Sequence, residues 1–96
     1  MDTELIIITE YCTYNQAEPE FIFGLQEVGL IDLLERDNQF YIYSSQLREL
    51  ERYTRWHYEL SVNVEGIDVI QNLMNRIEEM EKEIVHLKDR VRSNVG

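Results

Sequence analysis

Seven apolar residues in the last third of the chain, Ile70, Leu73, Ile77, Met80, Ile84, Leu87 and Val91, recur at alternating spacings of three and four. Only an α-helix places such a series on one face. Written as heptads, the a positions (Ile70, Ile77, Ile84, Val91) are all β-branched, and the d positions are Leu or Met. That division favours two-stranded coiled coils in parallel dimers. Arg76 with Glu81, and Glu83 with Lys88, then fall at g and e′ positions with opposite charges. An amphipathic helix can instead pack on its own domain. Ile67, Ile70, Leu73 and Met74, its first part, are expected to pack there. From Ile77 onward the stripe exceeds what one small head can cover, so the seven residues are expected to form a homodimer seam whose orientation three heptads leave open.

The preceding residues divide into short elements. Leu5 to Ile8 is a brief apolar run suited to a strand or an extended lead-in. Thr9 suits an N-cap and Glu10 a first helical turn, giving a short helix 1 over Glu10 to Tyr14. Asn15-Gln16-Ala17 reads as a turn. Pro19 fits the first position of helix 2, whose apolar stripe is Phe21, Ile22, Leu25 and Val28, and Gly29 suits the left-handed residue beyond its end. Two helices joined this way form a helix-turn-helix unit. Leu30 to Glu35 and Gln39 to Tyr43, joined at Arg36-Asp37-Asn38, predict a strand hairpin, or wing. Ser44 or Ser45 is expected to cap a third helix, with Leu47, Leu50, Tyr53 or Thr54, His57 and Leu60 on its inner face. Ser61-Val62-Asn63 breaks it, and Asn63 is suited to cap the last helix. The expected fold is mainly α with a small β wing. Residues 1–64 form a winged helix-turn-helix head and residues 65–96 a long C-terminal amphipathic or coiled-coil helix.

At 96 residues the chain is sized for one modest core. Nine Lys and Arg against nineteen Asp and Glu give a formal net charge of −10. Residues 1–40 hold nine acids and a single base, Arg36, a net charge of −8 on that part alone. Binders of duplex DNA normally present a basic face to the phosphates, so this distribution argues against nucleic acid. No apolar run approaches a membrane span, and no basic secretory leader opens the chain. One cysteine cannot form an internal disulfide, so a cytoplasmic location is expected. Cys12 reads as a small core residue, and His57 and His86 lack partners at metal-ligand spacing. Neither paired carboxylates nor a phosphate-cradling loop stands out. No enzyme activity, cofactor, metal or small-molecule substrate is expected.

Two stretches carry a resemblance. Ile8-Thr9-Glu10-Tyr11-Cys12 is followed by Val28-Gly29-Leu30, and Tyr58-Glu59-Leu60 by Gly66-Ile67, Leu73-Met74 and Ile77. In this order and spacing they resemble the MerR superfamily, and within it the chaperone-modulator (CbpM-type) family. The resemblance implies a MerR-like winged helix-turn-helix head. It also implies a protein that binds the J-domain of a DnaJ-like co-chaperone and inhibits its stimulation of Hsp70. A J-domain presents a basic helix, which an acidic competitor would complement. The alternative is a MerR-type DNA-binding transcriptional regulator. Those regulators resemble one another in an Arg-Tyr pair within helix 2, where this chain has Phe23-Gly24. Arg48, Arg52 and Arg55 form a basic row on helix 3, which reads as a solvated face with i,i+4 pairing of Glu51 with Arg55 and of Arg55 with Glu59.

The aromatic residues outnumber what so small a core can enclose. Phe40, Trp56 and Tyr58 are expected to fill the seam between wing and helices. Phe23 and Tyr14 are the candidates for an interface, with Glu18, Glu20 and Glu27 as its acidic rim.

Overall fold

The computed structural model describes residues 4–95; Asp2, one of the nine N-terminal acids, lies outside them. Its elements are β1 (Leu5–Ile7), α1 (Ile8–Asn15), α2 (Pro19–Glu27), β2 (Leu33–Arg36), β3 (Gln39–Tyr43), a 3₁₀ turn (Ser44–Gln46), α3 (Leu47–Leu60) and α4 (Val64–Val95). The fold is mostly helical with a small sheet, as expected of a winged helix-turn-helix head followed by a long helix.

Local chemistry explains most boundaries. Pro19 opens α2, where its missing N–H would have been unpaired anyway. Past the end of α2, Gly29 takes φ +82°, a conformation that suits a residue without Cβ. Between β2 and β3, Asp37 and Asn38 both adopt positive φ, the two-residue turn that matches strand twist. Asn63 caps α4, its side-chain oxygen accepting the Gly66 N–H at 2.8 Å.

Several details depart from expectation. Neither Ser44 nor Ser45 caps α3: both lie in the 3₁₀ turn, and Gln46 holds the N-cap position without a side-chain cap bond. Helix α1 starts at Ile8, so Thr9 is inside it rather than capping it; Thr9's carbonyl accepts the Thr13 hydroxyl. Ile8 is buried, and its place in the core sets where the strand becomes a helix. β1 pairs antiparallel with β3, making a three-stranded sheet in the order β1-β3-β2 rather than a bare hairpin. β2 begins only at Leu33, because Ile31 turns into the core and the Gln46 side chain brackets the Asp32 backbone, accepting its N–H and donating to its carbonyl. Leu60 is exposed, since the chain reverses at Ser61 with φ +59°.

The core gathers Ile8, Tyr11, Phe21, Ile22, Leu25, Ile31, Ile42, Leu50, Tyr53 and Ile67. Ile67 is fully buried, so the first turn of α4 completes the head across the 64/65 division. Gly24 makes the same junction close: a Cβ there would meet Val64 Cγ2 at 3.3 Å. Beyond Gln71, which accepts a hydrogen bond from Arg52 of α3, the side chains of α4 are exposed through Ser93. Leu73 and Met74, expected against the head, are exposed.

Candidate protein-docking face

Helix α2 turns its apolar side inward and leaves Glu20, Phe23 and Glu27 on one outward stripe at spacings of three and four. Glu18, at the N-cap position with extended backbone, Glu20 and Glu27 are exposed, whereas Phe23 is half-buried. Its ring stands edge-on to Phe40 of β3, centroids 5.0 Å apart. Tyr14, near the end of α1, is 89% exposed and has no core role. Neither α1 nor α2 carries a Lys or Arg, and the wing adds only Arg36 between Glu35 and Asp37. The helix-turn-helix face is therefore negative throughout, with aromatic rings at its edge.

Helix α3 carries the basic row, and the structure divides it. Arg48 and Arg55 are exposed. Arg52 is half-buried: its Nη2 donates to Gln71 Oε1 at 2.6 Å, and its guanidinium lies over the Trp56 and Tyr53 rings. It joins α3 to α4 and is not free to contact phosphate.

On its other flank α1 forms a groove with α3. A cavity of about 390 Å³ is lined by Ile6, Glu10, Tyr11, Tyr14, Asn15, Leu47 and Glu51. A second, of about 240 Å³, shares Tyr11, Asn15 and Glu51 and continues past Thr54, Arg55, Tyr58 and Glu59. Thr54 Oγ1 donates to the Leu50 carbonyl, which leaves the Tyr11 hydroxyl as donor in their 2.8 Å contact. Burial pushes the Tyr11 hydroxyl pKa up, the Thr54 bond opposes this, and the Glu51 charge adds to the rise. The groove was not visible in sequence, because it brings residues 6–15 against 47–59. Its one linear signal is Tyr11 and Tyr14 on a single short helix.

Other chemically suggestive side chains serve the core. Cys12 is buried and its thiol pKa is raised by that burial. His57 stacks on Phe21 at 4.3 Å and donates from Nδ1 to the Val62 carbonyl, beyond the end of α3. Tyr58, expected to fill the seam with the wing, is instead 41% exposed beside the start of α2: its ring meets Phe21 and His57 edge-on, and its hydroxyl accepts the Glu18 N–H at 2.8 Å. Among the described residues no three His, Cys, Asp or Glu side chains are grouped to hold a metal ion, and no helix is long and apolar enough to cross a membrane.

The stripe on α4 forms a second face. Ile70 is half-buried at the head. Leu73, Ile77, Met80, Ile84, Leu87 and Val91 are all exposed, with Ile77 at 56% and Val91 at 62%. Val69 and Met74, also exposed, flank the stripe at its base. From Leu73 to Val91 the row is about 27 Å long.

The model of a family described as "MerR HTH family regulatory protein" matches residues 6–89, from β1 through most of α4. No curated protein and no solved structure gives a significant match.

Proposed function

The chain belongs to the MerR helix-turn-helix regulatory family, and we propose that it uses that fold to hold a basic protein helix rather than a promoter. The observation that carries this reading is the outward stripe of α2, Glu20, Phe23 and Glu27, on a helix pair without a single Lys or Arg. In a helix-turn-helix the second helix is the one that enters the major groove. Duplex DNA carries a negative charge about every 1.7 Å of its axis, so an acidic helix there is repelled. The same charges complement a basic helix and speed its capture.

The partner class comes from the resemblance to chaperone modulators: the J-domain of a DnaJ-like co-chaperone. Occupying the J-domain's basic helix would withhold it from Hsp70, which makes the protein a non-enzymatic, cytoplasmic inhibitor of co-chaperone action. Glu18, Glu20 and Glu27 supply the charge, with Tyr14 and Phe23 the aromatic contacts at the edge. The α4 stripe (Ile70, Leu73, Ile77, Met80, Ile84, Leu87, Val91) pairs two copies, so that one dimer presents two heads.

The second reading is a DNA-binding transcriptional regulator. It is favoured by the family's regulatory description and by Arg48 and Arg55, exposed on α3. Calorimetry with a J-domain from the same genome tests the first reading. Reversing Glu20→Lys and Glu27→Lys together should weaken binding about tenfold while leaving thermal unfolding unchanged, since both side chains face solvent. Unchanged affinity would remove the α2 stripe from the contact.

A further inference from the structure

The α2 face supplies charge but little apolar depth. Phe23, its one apolar side chain, already lies against Phe40. Exposed ion pairs contribute little each, and protein contacts draw most of their affinity from a few side chains seated in desolvated pockets. We propose that the missing anchor site is the groove between α1 and α3, and that it takes the apolar edge of a basic amphipathic helix. The proposal rests on the protein-binding reading and adds to it a location and a ligand shape.

The floor and walls of the larger cavity are apolar: Ile6, Leu47 and the rings of Tyr11 and Tyr14. Its two rims are acidic, Glu10 from α1 and Glu51 from α3. This is the arrangement by which an amphipathic helix is held, apolar face down and cationic flanks against the rims. Glu51 and Glu59 are eight residues apart on α3, about 12 Å, or a little over two turns. A bound helix would therefore meet them with cations two turns apart. Arg55, between them, disfavours a cation at the middle level and so helps to set the register.

Charge selects among occupants. Nucleic acid is repelled by Glu10, Glu51 and Glu59, which outnumber Arg55 among the lining residues. A second copy could offer only the end of α4, where Lys82, Lys88, Arg90 and Arg92 stand against Glu83 and Asp89, and a dimer that the peptide dissociates would overturn a foreign occupant. The far end of the groove opens at Tyr58, whose hydroxyl accepts the Glu18 N–H. A helix anchored in the groove can thus run on to the acids at the start of α2, joining both surfaces into one site.

The test uses the full chain and two probes: the J-domain, and a synthetic amphipathic helix with leucines on one face and lysines on the other. A scrambled peptide of the same composition serves as control. Two variants are compared, Glu10→Lys with Glu51→Lys, and Tyr14→Ala; all three side chains are exposed. The wild type should bind the amphipathic peptide and not the scrambled one. Amide signals of Ile6, Tyr14, Leu47 and Glu51 should shift on binding. The rim reversal should weaken both probes about tenfold, and Tyr14→Ala should weaken them with less change in salt dependence. If the groove variants bind like wild type while the α2 reversal weakens the J-domain, the groove is not the anchor and the protein-binding reading stands. Equal binding of the scrambled peptide would reduce the effect to net charge and overturn the groove. If neither probe binds wild type, both readings fall.

Discussion

Replacing Ile67 with alanine is expected to lower the stability of the head by about 2–5 kcal/mol, although Ile67 belongs to the long helix. Its side chain has no exposed surface and joins a core made of Ile22, Leu25, Ile42 and Leu50. Removing it leaves a cavity that the surrounding side chains fill only in part. Domains of this size have about 5–15 kcal/mol to lose, and each kcal/mol moves Tm by about 4–8 °C. The midpoint should therefore drop by about 10 °C or more, followed by near-ultraviolet dichroism of Trp56, half-buried beside Tyr53. Val85→Ala on the exposed part of the same helix is the control and should change stability by less than about 0.5 kcal/mol. An unchanged midpoint for Ile67→Ala would mean that the head closes without α4.

The second large effect concerns association. Converting Ile77 and Ile84 to Asp should turn the proposed homodimer into a monomer with a folded head. Both residues are more than half exposed and touch none of the core, so the single chain gains nothing by keeping them apolar. In a paired coil each would be a knob at an a position, and a carboxylate there would be desolvated without a partner. Two such charges per chain place four in a seam about 27 Å long. Light scattering should report half the wild-type mass, while the head's unfolding midpoint stays within a few degrees once dimer linkage is allowed for. A wild type that is monomeric at high concentration would leave the stripe to a different protein.

Sequence was most informative where a residue type has a single physical use. Pro19, Gly29, Asp37-Asn38 and Asn63 mark a helix start, a left-handed exit, a tight hairpin and a cap, and the structure uses each in that way. The heptad row was equally legible, because three-and-four periodicity belongs to helices alone. What escaped reading depended on tertiary neighbours. Thr9 has capping chemistry, but Ile8 is needed in the core and carries the helix back beyond it. Leu5 to Ile8 reads only as a strand or an extended lead-in, since the pairing of Leu5–Ile7 with β3 spans most of the head. Gly24 reads as a weak point in a helix until Val64 is found 3.3 Å from where its Cβ would lie.

The candidate site was legible in its charges and less so in its shape. Glu18, Glu20, Glu27 and Tyr14 are exposed, as their helical positions imply. Phe23 shares their stripe but is half-covered by Phe40, a contact between α2 and the wing that periodicity does not reveal. The groove beyond Tyr14 exists only through the approach of α1 to α3. Likewise Arg52 looked like one of three solvent-facing cations, yet it is held by Gln71 and two aromatic rings.

The central claim, an acidic helix-turn-helix that holds protein and not DNA, is tested most directly by one paired titration. The labelled full-length protein is titrated with a J-domain from the same genome and, in parallel, with duplex DNA from upstream of its own gene, at physiological salt. The account predicts saturable J-domain binding whose association rate falls steeply with added salt while dissociation changes little, and no DNA binding above the non-specific level. Sequence-specific, submicromolar DNA binding with no J-domain binding would contradict it.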